Sequence, residues 1–191
     1  MELRKFIKTT IKEYLNEQVS LGNIMLNNNF RKWFGNSKVI DKDGNPMICY
    51  HGSNDNNVKI FDLGMVGKNT DSGMFGKGFY FTDNIKYAST YNRNKNNGSV
   101  LSCFLSIQNP LIIYSKNDIP NINVPDESIE DMYNAPINYS KMFREYLIDN
   151  NYDGVIDNLS SIKQIVALNS NQIKSTENDG SWDINNANIY S

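Results

Sequence analysis

Apolar positions Leu3, Phe6, Ile7, Ile11, Tyr14 and Leu15 fall at helical spacing with Lys and Glu between them, which predicts an amphipathic helix. Asn27-Asn28-Asn29-Phe30 breaks that pattern and separates an N-terminal helix and linker, 1–27, from a main domain, 28–191. The helix is expected to dock on the domain's own core, with a partner-binding or linker helix as the alternative. A short helix around Phe30–Phe34 ends at Gly35, a residue suited to closing a helix. Lys38–Ile40 and Pro46–His51 flank Asp41-Lys42-Asp43-Gly44, a turn with Gly where positive φ is needed. This predicts a hairpin whose second strand is buried and ends at His51.

Residues 52–77 read as a polar, Gly-rich loop. Gly78–Thr82 is an aromatic strand, followed by Asp83 as N-cap of a helix reaching about Tyr91. Val100–Ile107, Leu111–Ile113, Gly154–Ile156 and Gln164–Leu168 read as strands, and Ser140–Asn150 as a helix. Residues 115–138 form a polar surface excursion with three prolines, and the Asn/Ser-rich tail after Ser175 reads as loop. Strand and helix alternate without a βαβ rhythm, and no GxGxxG follows a strand. A doubly wound dinucleotide fold is therefore not expected, and α+β is.

Composition narrows the function classes. The 191 residues suit one domain with room for a small appended element. A net charge of -2 and a pI near 5.4 argue against a broad basic face for holding nucleic acid, without excluding a briefly held nucleic-acid substrate. Cys49 and Cys103 each sit in an apolar run and are expected as buried thiols in a reducing compartment. One His in the chain makes a His-based zinc site implausible, and no metal is expected. The N-terminus lacks the shape of a secretory signal, and no apolar run spans a membrane, so a cytoplasmic setting is expected, in a bacterial cell or a phage-infected host.

Three segments carry chemistry. Tyr50-His51-Gly52-Ser53 ends a buried strand. Phe75-Gly76-Lys77-Gly78-Phe79-Tyr80-Phe81-Thr82-Asp83 continues into Ala88-Ser89-Thr90-Tyr91. Lys163-Gln164-Ile165-Val166-Ala167-Leu168 runs into Asn171-Gln172-Ile173-Lys174-Ser175. Read singly, His51 is an ordinary strand-end residue, Tyr80 a core aromatic and Tyr91 helix packing. Their conjunction, in this order, resembles the His-Tyr-Glu class of ADP-ribosyltransferases, the clade of diphtheria toxin and the poly(ADP-ribose) polymerases. The closest resemblance is to ADP-ribosyltransferase domains of phage and mobile-element polyvalent proteins, over about residues 28 to 191.

The resemblance implies an α+β split-sheet fold with flanking helices around a cleft for NAD⁺, which is substrate rather than resident cofactor. It implies that His51 hydrogen-bonds a ribose hydroxyl as a directional donor. Gly52 would offer its backbone to the nicotinamide carboxamide, where a missing Cβ permits close approach. Tyr80 and Tyr91 would sandwich the cationic ring, an attraction of about 1–2 kcal/mol. Ser53 and Thr82 would contact ribose or amide. The implied activity is mono-ADP-ribosyl transfer to a macromolecule. A protein acceptor is favoured by the mild acidity, RNA stays open, and an antitoxin or other partner protein is compatible. The alternatives are a weak NAD⁺ or ADP-ribose binding module and an NAD⁺ glycohydrolase.

Two positions depart from the family pattern. Ala88 replaces a Ser that often bonds the carboxamide, with Ser89 adjacent but on another side of the helix. Gln164 stands where the family keeps its catalytic Glu, and there it would hydrogen-bond a ribose hydroxyl without supplying charge. Removing such preorganised charge costs around 10²–10³ in rate, so a Gln164→Glu change is expected to accelerate the reaction. A substitution that disarms the enzyme, a slow natural variant, or another carboxylate such as Glu145 or Glu177 doing the work are the readings this leaves.

Overall fold

A computed structural model of the chain describes residues 2–67, 73–92, 98–122 and 137–191. Helix α1 (Glu2–Leu26) is longer than its periodic stretch predicts. Phe6, Ile7 and Ile11 are exposed, so the expected docking on the core does not extend to the first turns. Leu21, Ile24 and Met25, near the helix end, pack instead against an aromatic cluster of Phe30, Trp33, Phe34, Phe104 and Trp182.

Helix α2 (Asn28–Phe34) begins where the Asn27 side chain accepts from the N–H groups of Asn29 and Phe30. It stops at Gly35, whose φ is +56°. The expected hairpin over 38–51 is reduced to a single bridge between Ile40 and Pro46, because the Val39 N–H is given to the Ser37 hydroxyl and the Lys38 N–H to the Ile107 carbonyl. The turn itself forms, with the Asp41 carboxylate accepting from the N–H groups of Asp43 and Asn45.

Seven strands follow: β1 (Cys49–Ser53), β2 (Phe79–Thr82), β3 (Ser99–Leu105), β4 (Pro110–Ile113), β5 (Gly154–Asp157), β6 (Gln164–Ala167) and β7 (Ile173–Ser175). They form one sheet in the order β4-β5-β6-β2-β1-β3-β7, antiparallel except for β4 beside β5. β1 shares five registered pairs with β3, and β2 shares four with β6. Between β1 and β2 the register holds one pair, Tyr50 opposite Thr82. The expected split is therefore a seam inside one sheet, with β4-β5-β6-β2 on one side and β1-β3-β7 on the other.

Period-two alternation fills both faces. Cys49, Phe79, Phe81, Leu101, Cys103, Ile165 and Ala167 share one buried cluster. Val155, Val166 and Leu168 face the other way, onto Phe143 and Leu147 of α4 (Ile137–Asp149). Cys49 and Cys103 are free, buried thiols directly opposed across β1 and β3. The tail beyond Ser175 has no regular strand but is packed: Trp182 and Ile189 are buried, and the buried Lys174 ammonium donates to the carbonyls of Asn186 and Asn188. Among the described residues no helix is long and apolar enough to cross a membrane, and no group of His, Cys, Asp and Glu is arranged to hold a metal.

Candidate functional site

The seam is the place where the sheet offers backbone and side chains that its own ladder does not consume. β1 reaches it because Cys49 is locked opposite Cys103, which fixes the alternation of the strand. It runs two residues past His51, ending at Ser53. The His51 Nδ1 lies 2.7 Å from the Tyr80 carbonyl, so the imidazole bridges β1 and β2 just beyond their last registered pair. A carbonyl only accepts, so Nδ1 carries the proton and Nε2 of the neutral ring is left as an acceptor. Burial pushes the His51 pKa down, opposed in part by the bond to the Tyr80 carbonyl. The ring packs edge-on to Phe61 at 5.0 Å and tilted against Phe81 at 5.3 Å. His51 thus favours receiving a hydrogen bond from a hydroxyl, rather than donating one as its sequence context suggests.

Gly52 has the tightest environment in β1. A Cβ on it would lie 2.0 Å from the Ala88 carbonyl oxygen and 3.0 Å from the Tyr91 Cβ. The helix α3 (Ile85–Ser89) is therefore seated directly on the Gly52 backbone. The register of Tyr50 with Thr82 carries Gly52 to the level of Tyr80 across the seam. α3 is capped by Asn84, whose side chain accepts from the Tyr87 N–H, and not by Asp83 as the sequence suggests. The Thr82 hydroxyl accepts from the Asn84 N–H and so uses Asp83 as a spacer.

Tyr91 lies just past the end of α3, its N–H bonded to the Ala88 carbonyl. Its hydroxyl is 3.0 Å from that of Tyr87, and the two rings meet edge to face at 5.5 Å. Tyr80 is fixed at its far end: its hydroxyl donates to the Gly76 carbonyl and accepts from the Phe75 N–H. Gly73, at φ +91°, approaches so closely that a Cβ would fall 2.3 Å from the Tyr80 hydroxyl oxygen. Ala88 is buried against β1, and the Ser89 hydroxyl donates to the Lys86 carbonyl on the exposed side, so the usual serine contact has no substitute there.

Gln164 opens β6, opposite Thr82 on one side and Asp157 on the other. It shares the face of Val166 and Tyr80, while Ile165 is buried in the opposite cluster. Gly52, Tyr80, Thr82 and Gln164 thus have their side-chain directions on one face, with Tyr91 set over Gly52 from α3. His51 and Ser53 belong to the other face, where the imidazole packs on Phe61 and Phe81 and reaches the seam through its bond to the Tyr80 carbonyl, and the Ser53 hydroxyl accepts from the Asp55 N–H in the turn that follows. Glu145 is exposed on α4, and Glu177 lines a cavity of about 240 Å³ with Leu21, Ile24 and Tyr50 beneath α1. The carboxylate beside Gln164 is Asp157, which the sequence offers only as a strand-end residue before a turn.

No curated protein matches the sequence. The family model for the ADP-ribosyltransferase in polyvalent proteins matches residues 41–183, more than half of the chain and inclusive of all seven strands. That span contains every element of the seam, from the turn before β1 to the buried Trp182, and the chain belongs to this ADP-ribosyltransferase family.

Proposed function

We propose that the chain uses NAD⁺ as donor and transfers a single ADP-ribose to a macromolecular acceptor, with the seam as its active site. The observation that carries this reading is Gly52. Its absent Cβ lets α3 set Tyr91 over the strand, at the level of Tyr80 and beside a His whose Nε2 is left to accept. In this arrangement the nicotinamide lies between Tyr80 and Tyr91 and makes amide hydrogen bonds with the Gly52 backbone. A ribose hydroxyl donates to His51, and the Gln164 amide oxygen accepts from another. The bond from ribose C1′ to the ring nitrogen breaks, and its electron pair neutralises the pyridinium as C1′ becomes oxocarbenium-like. The acceptor's nucleophilic atom then bonds C1′ and gives its proton to solvent.

Gln164 supports a second reading of the same site, a slow NAD⁺ glycohydrolase or binding module, because its amide brings no charge to the developing cation. The acidic balance of the chain favours a protein acceptor over RNA. Its reduced, buried thiols favour a cytoplasmic setting, where roles as a toxin held by an antitoxin, a phage-delivered effector or a defence enzyme all use this chemistry. The test is to add NAD⁺ labelled in its adenylate to a bacterial lysate with the chain. Label in protein supports the transferase reading, and label in RNA redirects the acceptor. Label only in free ADP-ribose favours the hydrolase, and intact NAD⁺ overturns transfer and hydrolysis and leaves the binding module, which calorimetry with NAD⁺ then tests.

A further inference from the structure

Asp157 closes β5 directly opposite Gln164, which is itself opposite Thr82, so the three side chains form one row on the face that carries Tyr80. Directly opposed residues of an antiparallel pair have Cβ atoms about 4.5–5.5 Å apart. Asp157 is fully buried. Its Oδ1 accepts from the N–H groups of Leu159 and Ser160, which caps the turn after β5. Asn or Ser would cap that turn without burying a charge. Among the described residues Oδ2 has no hydrogen-bond partner, a costly state for a buried carboxylate. The opposed group able to donate to it is the Gln164 amide.

From this row we infer that Asp157 is the positioning residue for Gln164, an inference that rests on the NAD⁺ reading above. A change of Gln164 rotamer brings Nε2–H to Oδ2. A carboxylate can only accept, so the amide nitrogen turns toward Asp157 and the amide oxygen toward the nicotinamide-ribose hydroxyl. The polarised amide becomes a better acceptor, and the charge absent from Gln164 is returned one residue further back. Gln and Asp then form a matched pair. Glu at 164 would set two like charges side by side, and their repulsion would push the new carboxylate away from the ribose hydroxyl. The acceleration expected from Gln164→Glu alone is thereby cancelled.

The test compares the native chain with Asp157→Asn, Gln164→Glu and the double variant, measuring kcat and KM for nicotinamide release from NAD⁺. Asn keeps the Oδ1 cap but points N–H at Gln164, and Asp157→Ser is a second variant that keeps a cap without charge. Asp157→Asn is expected to lower kcat about 10-fold with KM nearly unchanged, and Gln164→Glu to bring little gain. The double variant is expected to exceed the native kcat by about 10-fold or more, so that Asp157→Asn changes sign with its partner. Equal effects of Asp157→Asn in both backgrounds make Asp157 a turn cap only and overturn the inference, while nicotinamide release still upholds the NAD⁺ reading. If no variant releases nicotinamide, that reading fails by itself. The pairing is then judged by NMR, from the Gln164 side-chain amide identified by its loss in Gln164→Glu. A protected amide that loses protection in Asp157→Asn supports the pairing, and an unprotected one overturns it.

Discussion

Replacing Gly52 by Ala adds one methyl at the contact that seats α3 on the sheet. The φ of Gly52 lies outside the left-handed region, so alanine suits the backbone and the effect comes from the contact alone. The new Cβ would sit 2.0 Å from the Ala88 carbonyl oxygen, against a floor of 3.0 Å for real Cβ contacts, so α3 must retreat by at least 1.0 Å (3.0 − 2.0). The obstructing atom is backbone, which cannot rotate aside. Overpacking of this kind costs about 1–3 kcal/mol. In a chain of this size that lowers Tm by about 2–12 °C. The same retreat carries Tyr91 away from Tyr80, and a displacement near 1 Å in a reacting geometry costs on the order of 10²-fold in rate. Thermal unfolding and nicotinamide release, measured on Gly52→Ala beside the native protein, read the two effects separately. A variant with native Tm and native turnover would refute the argument, because it would mean that α3 does not rest on Gly52.

Other perturbations act on neighbouring parts of the account. Tyr91→Ala is expected to weaken NAD⁺ binding by about 1–3 kcal/mol in calorimetry, and an unchanged Kd would make Tyr91 a packing residue only. His51 is the one histidine of the chain, so its ring C2 proton gives a single NMR titration. Its folded pKa is lowered, so its contribution to stability is fully present above pH 6.5 and is lost as pH falls from there through the folded pKa. The resonance should stay in its neutral position through pH 6.5, and a midpoint at or above that value would contradict the buried bridge to the Tyr80 carbonyl. Burial pushes both cysteine thiols well up, so neither Cys49 nor Cys103 should react with an aromatic disulfide reagent until denaturant is added.

The parts of the fold that were legible in the sequence are those where one face of an element is uniformly apolar. Phe79-Tyr80-Phe81 and Ile165-Val166-Ala167 carry enough β-branched and aromatic residues to announce β2 and β6. β7 is illegible in the sequence because its middle residue, Lys174, reads as a surface charge, and only the folded tail supplies the carbonyls that satisfy it. The helix cap lies one residue beyond the expected Asp83, at Asn84, since the two are equally good caps locally and the Thr82 hydroxyl decides between them. For the candidate site, the family motifs single out His51, Gly52, Tyr80, Tyr91 and Gln164, but motif spacing carries no information on tautomer or strand face. The Nδ1 contact that makes His51 an acceptor, the placement of Ser53 on the other face, and the row from Thr82 to Asp157 all depend on register. Register between strands distant in sequence is set by tertiary packing.

The central claim is that the seam binds NAD⁺, and the most direct measurement is a crystal structure of the chain with NAD⁺ or an uncleavable analogue. The nicotinamide is expected between the rings of Tyr80 and Tyr91, with its amide on the Gly52 backbone, a ribose hydroxyl at His51 Nε2, and the Gln164 amide oxygen facing the ribose. A dinucleotide bound elsewhere, or a nicotinamide outside the Tyr80–Tyr91 slot, would contradict it.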